Sequence, residues 1–153
     1  FMINVHISGG AEMLRAAVGA IHESKESKPK LVGVTILTSM NEYSFEEQGI
    51  KLNVQDQVIN LATLAADCGL DGVVCSPYEA GKVKSKCGKD FLTVVPGIRL
   101  DKTESDDQKR TLTPYEAVRN GADILVVGRP LTKANDPLEV AKIIRKNIDG
   151  YAN

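Results

Sequence analysis

Apolar positions along the chain follow two alternating rhythms. Short runs rich in β-branched residues, Met2 to Ile7, Leu31 to Leu37, Gly72 to Cys75, Phe91 to Val95 and Ile124 to Val127, read as strands. Between them, apolar residues recur at helical spacing. Ala11 to Glu23 sets Met13, Leu14, Ala17, Val18 and Ile21 on one face. A stronger helix follows Asn53, a predicted N-cap with Asp56 at N3. Val58, Ile59, Leu61, Ala62, Leu64 and Ala65 form its apolar face, and Gly69 its stop. Ser76-Pro77-Tyr78-Glu79 and Thr113-Pro114-Tyr115-Glu116 each offer a cap, a proline at N1 and a glutamate at N3, which predicts a capping box. Asp136-Pro137-Leu138-Glu139 opens the last helix and Gly150 ends it, while Thr38 to Leu52 reads as a polar connection.

Five strands thus alternate with helices. Their runs are continuously apolar, which predicts burial on both faces, as in a parallel α/β sheet. Right-handed crossovers leave an open doubly wound sheet or a closed (β/α) barrel. No G-x-G-x-x-G follows the first strand, and Ser8-Gly9-Gly10 is only a weak echo of it, so the barrel is the better reading. Beyond the β/α unit there is no internal repeat.

Composition narrows the function rather than the fold. With 153 residues, 42% hydrophobic and 25% charged, the chain suits one domain with a real core. A net charge of −1 with interspersed signs gives no footprint for nucleic acid or an anionic membrane. Any anion must be gripped by local groups. Cys68, Cys75 and Cys87 show no CxxC spacing, which suggests a reducing compartment and buried, inert thiols. No apolar run approaches the roughly 18 residues of a membrane span, and no signal-peptide pattern opens the chain, so a cytoplasmic protein is expected. Phe1 already stands inside a strand-like run, from which a fragment, or a chain whose earlier part was not counted, is expected.

In a (β/α) barrel the loops after the strands form the active face, and phosphate is often held after the last two. Those loops are the most distinctive here. The fourth strand leads into Pro96-Gly97-Ile98-Arg99 and a long polar loop with Asp106-Asp107-Gln108-Lys109-Arg110; the fifth ends in Val127-Gly128-Arg129-Pro130. Gly128 allows close approach of backbone to an anion, Arg129 offers a fork matched to phosphate oxygens, and Gln108 could add an amide donor from a loop folding over the site. Phosphate binding is the functional reading; the bland alternative is an Arg129–carboxylate pair and a solvated loop. Thr38-Ser39 could hydrogen-bond a polar heterocycle, or serve only as turn residues. His6 is a candidate acid/base, with a buried structural histidine favoured; Cys75 reads as a packing thiol and His22 as helix surface. No nucleophile motif, metal-ligand cluster or tight acid–base group is evident.

Val5-His6-Ile7-Ser8-Gly9-Gly10, Val34-Thr35-Ile36-Leu37-Thr38-Ser39-Met40, Asp71-Gly72-Val73-Val74-Cys75-Ser76, Val95-Pro96-Gly97-Ile98-Arg99, Asp107-Gln108-Lys109-Arg110 and Val126-Val127-Gly128-Arg129-Pro130-Leu131-Thr132 together resemble orotidine 5′-monophosphate decarboxylase of the bacterial type. The resemblance covers essentially the whole chain. It implies a (β/α)8 TIM barrel of which residues 1–153 supply strands and helices 4 to 8, with strands 1 to 3 absent from this sequence. It implies decarboxylation of orotidine 5′-monophosphate to UMP in pyrimidine biosynthesis, without cofactor or metal, by a homodimer; the charge pattern already speaks against nucleic acid or membrane as partner. Arg99, Gln108, Gly128 and Arg129 resemble the phosphate-binding set. Thr38, with Ser39 beside it, resembles the contact near the pyrimidine, and Pro96 a wall of the base pocket.

One departure is large. The family's catalytic Asp-x-Lys-x-x-Asp run would lie just before Phe1 and occurs nowhere in the sequence, so no residue here is assigned as catalytic and the segment alone is expected to be inactive. Neither Lys102 nor Lys109 takes that role. Two rival readings remain: another sugar-phosphate barrel enzyme, or a non-catalytic phosphate-binding half-barrel.

Overall fold

A computed structural model of the protein describes residues 1–25, 28–100 and 110–150. In chain order its elements are β1 (Met2–His6), a 3-10 turn (Ile7–Gly9), α1 (Gly10–Glu23), β2 (Lys30–Val34), α2 (Glu42–Glu47), α3 (Val54–Asp67), β3 (Gly72–Val74), α4 (Ala80–Cys87), β4 (Leu92–Val95), α5 (Pro114–Arg119), β5 (Ile124–Leu125), α6 (Arg129–Thr132) and α7 (Pro137–Asp149).

All five strands are parallel and lie in sequential order, β1-β2-β3-β4-β5. That order decides between the two architectures left open by the sequence. A doubly wound sheet reverses direction at a switch point, which puts helices on both faces. A sheet that always adds the next strand on the same side, through right-handed crossovers, puts every helix on one face. The other face is then the concave inside of a barrel. The described sheet is an arc of such a barrel.

Burial follows from position in the arc. Leu31, Val73 and Val95 point into the helix layer, against Val58, Ala62, Ala80 and Val83. The central strands are buried on both faces, as their apolar runs predicted. The expectation fails for β1 and β5, which carry exposed and half-buried residues throughout. They are the two edges of the described sheet, and each has a neighbour on one side only. Strands also stop earlier than predicted: β2 ends at Val34 rather than Leu37, and β5 at Leu125 rather than Val127. The apolar residues past these ends leave the ladder for the rim, where Leu37 and Val126 are exposed.

Local chemistry explains the helix starts. The Asn53 side chain accepts from the Asp56 N–H, and Asp136 accepts from the Glu139 N–H. Thr113 and Glu116 form the full reciprocal box. The same box at Ser76 forms only by half. Glu79 reaches back to the Ser76 N–H at 3.1 Å, but its own N–H donates to the Ser76 carbonyl (3.2 Å) rather than to the Ser76 hydroxyl. Residues 77–79 stay a turn, and α4 begins only at Ala80. Within the segment read as a polar connection lies α2, capped by Asn41 and pinned by Phe45, which is 1% exposed.

The N-terminal rim of the arc carries a repeated device. Gly69-Leu70-Asp71 and Gly121-Ala122-Asp123 each follow a helix, with a left-handed glycine, a buried apolar residue and an aspartate. Asp71 accepts from Lys30 Nζ (2.7 Å) and the Leu31 N–H (2.8 Å). Asp123 accepts from the Thr93 N–H (2.7 Å) and hydroxyl (3.0 Å) and pairs with Lys84. Each clamps the start of the preceding strand. Burial alone would raise these carboxyls, but the lysine and strand donors outweigh it and hold both below 3.8. A depressed carboxylate contributes stability that is fully present above its unfolded value and is lost as pH falls through its folded value. Asp71→Asn with Asp123→Asn should therefore flatten the acid limb of stability below about pH 4, the ordinary aspartate range. Denaturant midpoints measured across that range check this, and an unaltered slope would contradict it.

Candidate functional site

In a parallel arc the C-terminal ends of all strands meet at one rim, and the residues following them share it. Pro96, Gly97 and Arg99 leave β4; Val126, Gly128 and Arg129 leave β5. These six line one cavity of about 170 Å³. Four of the six residues singled out from the sequence, Pro96, Arg99, Gly128 and Arg129, are thus brought to one small concavity.

Arg99 is buried, and its Nη1 donates to the Ile98 carbonyl at 2.8 Å. Its backbone is fixed too. The Arg99 N–H donates to the Leu112 carbonyl (3.0 Å) and the Leu112 N–H to the Gly97 carbonyl (3.3 Å), so residues 97–99 pair with the far side of their own loop. Gly97 makes this possible. Its φ is +79°, and a Cβ there would come within 3.0 Å of the Arg110 carbonyl oxygen. Arg129 is half-buried and opens α6, with Gly128 as the preceding residue. A Cβ on Gly128 would meet nothing within 4 Å, so the open side of the cavity meets backbone here. Two arginines lining so small a volume suit a compact polyvalent anion, for which a guanidinium fork provides paired donors.

Thr38 lies elsewhere on the same rim. It is buried and does not line that cavity. Its neighbours Ile36, Leu37 and Met40 line a larger cavity of about 510 Å³, together with His6, Ser8 and Thr35. Gln108 lies outside the described residues. Another cavity, of about 390 Å³, is lined by Lys30, Asp71 and Phe91 at the opposite rim, where the aspartate clamps sit.

Two residues weighed as chemical candidates resolve differently. Cys75 is buried, and its thiol is pushed up to about 12, first by burial and then by the negative charge of Glu79, with Arg110 opposing. It is a packing thiol and no nucleophile at neutral pH. His6, which the sequence favours as a buried histidine, is exposed instead. It ends β1, an edge strand of the described sheet, in register with Val34, so among the described residues no strand covers its other side. Among the described residues, no three metal-ligating side chains converge, and no helix is long and apolar enough to cross a membrane.

Sequence reasoning missed one buried charge pair. Arg110 Nη1 lies 2.6 Å from Glu79 Oε1, with both side chains largely out of solvent. Glu79 looked like a cap and Arg110 like part of a polar loop. Only an acid directly behind a buried strand end hinted that Glu79 needs a partner.

The family model described as "Orotidine 5'-phosphate decarboxylase / HUMPS family" matches residues 1–144. The chain belongs to this family. Among curated relatives it is 45% identical over 148 residues to an orotidine 5'-phosphate decarboxylase of Legionella pneumophila, covering 97% of this chain and 65% of that one. It is 48% identical over 151 residues to the enzyme of the same name from Chromobacterium violaceum, covering 99% and 61%. The chain thus spans under two thirds of these relatives. The crystal structure of orotidine 5'-phosphate decarboxylase from Lactobacillus acidophilus superposes with a TM-score of 0.80 at 37% identity, over 95% of this chain and 62% of that one. The Pyrococcus horikoshii structure of that name shares the fold, with a TM-score of 0.67 at 22% identity, over 97% and 61% of the two chains. The five-stranded arc is therefore part of this family's TIM barrel.

Proposed function

We propose that the protein decarboxylates orotidine 5′-monophosphate to UMP as part of a complete (β/α)8 barrel, with β1 to β5 as its last five strands. The cavity between the loops after β4 and β5 carries this reading. Arg99, Gly128 and Arg129 there form the cradle for the substrate's phosphomonoester, a role that their shared lining of this cavity supports. Pro96, on the same wall, faces the nucleoside side. Thr38 and Ser39 serve the pyrimidine, and Gln108 adds to the phosphate and ribose contacts. The charged group that expels CO₂ and protonates the carbanion belongs to an Asp-x-Lys-x-x-Asp run, which these 153 residues do not contain. The functional assembly is a cytoplasmic homodimer.

The division of labour follows from transition-state energetics. The phosphate does not react, so its grip accelerates chemistry only if binding energy is used to orient the orotate ring and exclude water. The test is an assay of orotate-chromophore loss with the complete protein and, separately, with this 153-residue polypeptide. Turnover by the first and none by the second is expected. Turnover by the short chain alone would refute the placement of the catalytic lysine. A complete protein that ignores orotidine 5′-monophosphate but turns over a sugar phosphate would overturn the substrate assignment.

A further inference from the structure

Three rim loops are tied together by one side chain. Arg110 Nη1 pairs with Glu79 in the turn after β3. Its Nη2 donates to the Leu37 carbonyl at 3.0 Å and approaches the Ile36 carbonyl at 3.4 Å, in the loop after β2. Its own backbone belongs to the loop after β4, where its carbonyl faces Gly97 and Leu112 is bridged to Arg99. Glu79 is itself fixed, since its second oxygen takes both the N–H and the hydroxyl of Ser76.

Stability is a poor explanation for this arrangement. Buried ion pairs are often no better than apolar packing of the same volume. Here the fork also leaves Arg110 Nε buried with no hydrogen-bond partner, which costs further free energy. What the network supplies is position. Thr38 follows directly on Leu37, and Arg99 sits across the backbone ladder from Leu112, two residues beyond Arg110.

We infer that Arg110, oriented by Glu79, is a positioning residue that sets the distance between the Thr38 loop and the Arg99 loop. The inference rests on the nucleotide reading above, in which one loop serves the pyrimidine and the other the phosphate. A nucleotide must satisfy both ends at once, whereas inorganic phosphate needs only the Arg99 end. Misregistration of the loops should therefore penalise turnover far more than phosphate binding.

The experiment compares Arg110→Ala, Arg110→Lys and Glu79→Gln with the wild type, all in the complete protein and all checked for folding by circular dichroism. Turnover of orotidine 5′-monophosphate and affinity for inorganic phosphate are measured in parallel. Expected is a fall in kcat of about tenfold to a hundredfold for Arg110→Ala, at nearly unchanged phosphate affinity. Arg110→Lys should recover only part of it, because an ammonium cannot span both Glu79 and the Leu37 carbonyl as a fork does. If Arg110→Ala does not fold, Glu79→Gln, which keeps size and one acceptor, carries the comparison. Folded variants with unchanged kcat, or with turnover and phosphate affinity falling together, would overturn the positioning role alone. A wild type inactive on the nucleotide would overturn the decarboxylase reading and this inference with it.

Discussion

Alanine at Gly72 is expected to destabilise the protein by about 3 kcal/mol or more, the upper end of overpacking penalties. Gly72 opens β3, the middle strand of the described sheet, and is paired with Val32 on one side and Leu92 on the other. An added Cβ would lie 2.2 Å from the Leu92 carbonyl oxygen and 2.8 Å from its carbonyl carbon. Those are backbone atoms, so no rotamer change relieves the clash; β3 and β4 must separate. Gly33 provides the control. A Cβ there meets Ile7 Cγ1 at 2.5 Å and Cδ1 at 2.7 Å, which are side-chain atoms that can move. Denaturant midpoints should thus fall well below wild type for Gly72→Ala and less for Gly33→Ala. Equal shifts, or a wild-type midpoint for Gly72→Ala, would show that the strands have slack the structure does not display.

Gly72 also marks where reading the sequence reaches its limit. Its place inside a β-branched run announced a strand, and the run gave no sign that Leu92, twenty positions on, presses its backbone against it. What was legible is what local chemistry writes: caps at Asn53, Thr113 and Asp136, stops at Gly69 and Gly150, and alternating strand and helix rhythms. The box at Ser76 forms only by half: the Glu79 carboxylate takes the Ser76 N–H, but the Glu79 N–H closes a turn on the Ser76 carbonyl. The carboxylate's other oxygen pairs with Arg110, 31 residues away. The helix α2 escaped notice because one buried aromatic, Phe45, anchors it within polar surroundings. Burial of β1 and β5 was overestimated for a geometric reason: an apolar run states a preference for burial, and only the neighbouring strand provides it.

The candidate site divides in the same way. Pro96, Arg99, Gly128 and Arg129 were named from two loops, and parallel topology obliges those loops to meet at one rim. Thr38 belongs to the same set, but it follows the Leu37 carbonyl held by Arg110 and does not line the cavity of the arginines. Residue type and order told which groups could contact a nucleotide. In the proposed positioning role, the spacing between its two ends is set by Arg110 and Glu79, whose pairing no motif announces.

Removing the Arg129 guanidinium should affect the chemistry more than any other single change among the described site residues. For Arg129→Ala in the complete protein, kcat/KM for orotidine 5′-monophosphate is expected to fall by about 4 kcal/mol, roughly a thousandfold. The magnitude reflects a cavity of about 170 Å³ that Arg129 lines together with buried Arg99, which a bound phosphate would fill and so displace the water that screens a charge pair. The partition between kcat and KM is the informative part. If the phosphate grip merely held substrate, KM would rise and kcat would stand still; if its binding energy orients the ring, kcat falls as well. The nucleoside orotidine, which lacks the phosphate, separates a local effect from general damage. Wild type and Arg129→Ala should turn it over equally slowly, because neither has a phosphate to grip. A variant equally impaired on nucleoside and nucleotide would point to a disturbed rim, and an unchanged kcat/KM on the nucleotide would remove Arg129 from the phosphate site altogether.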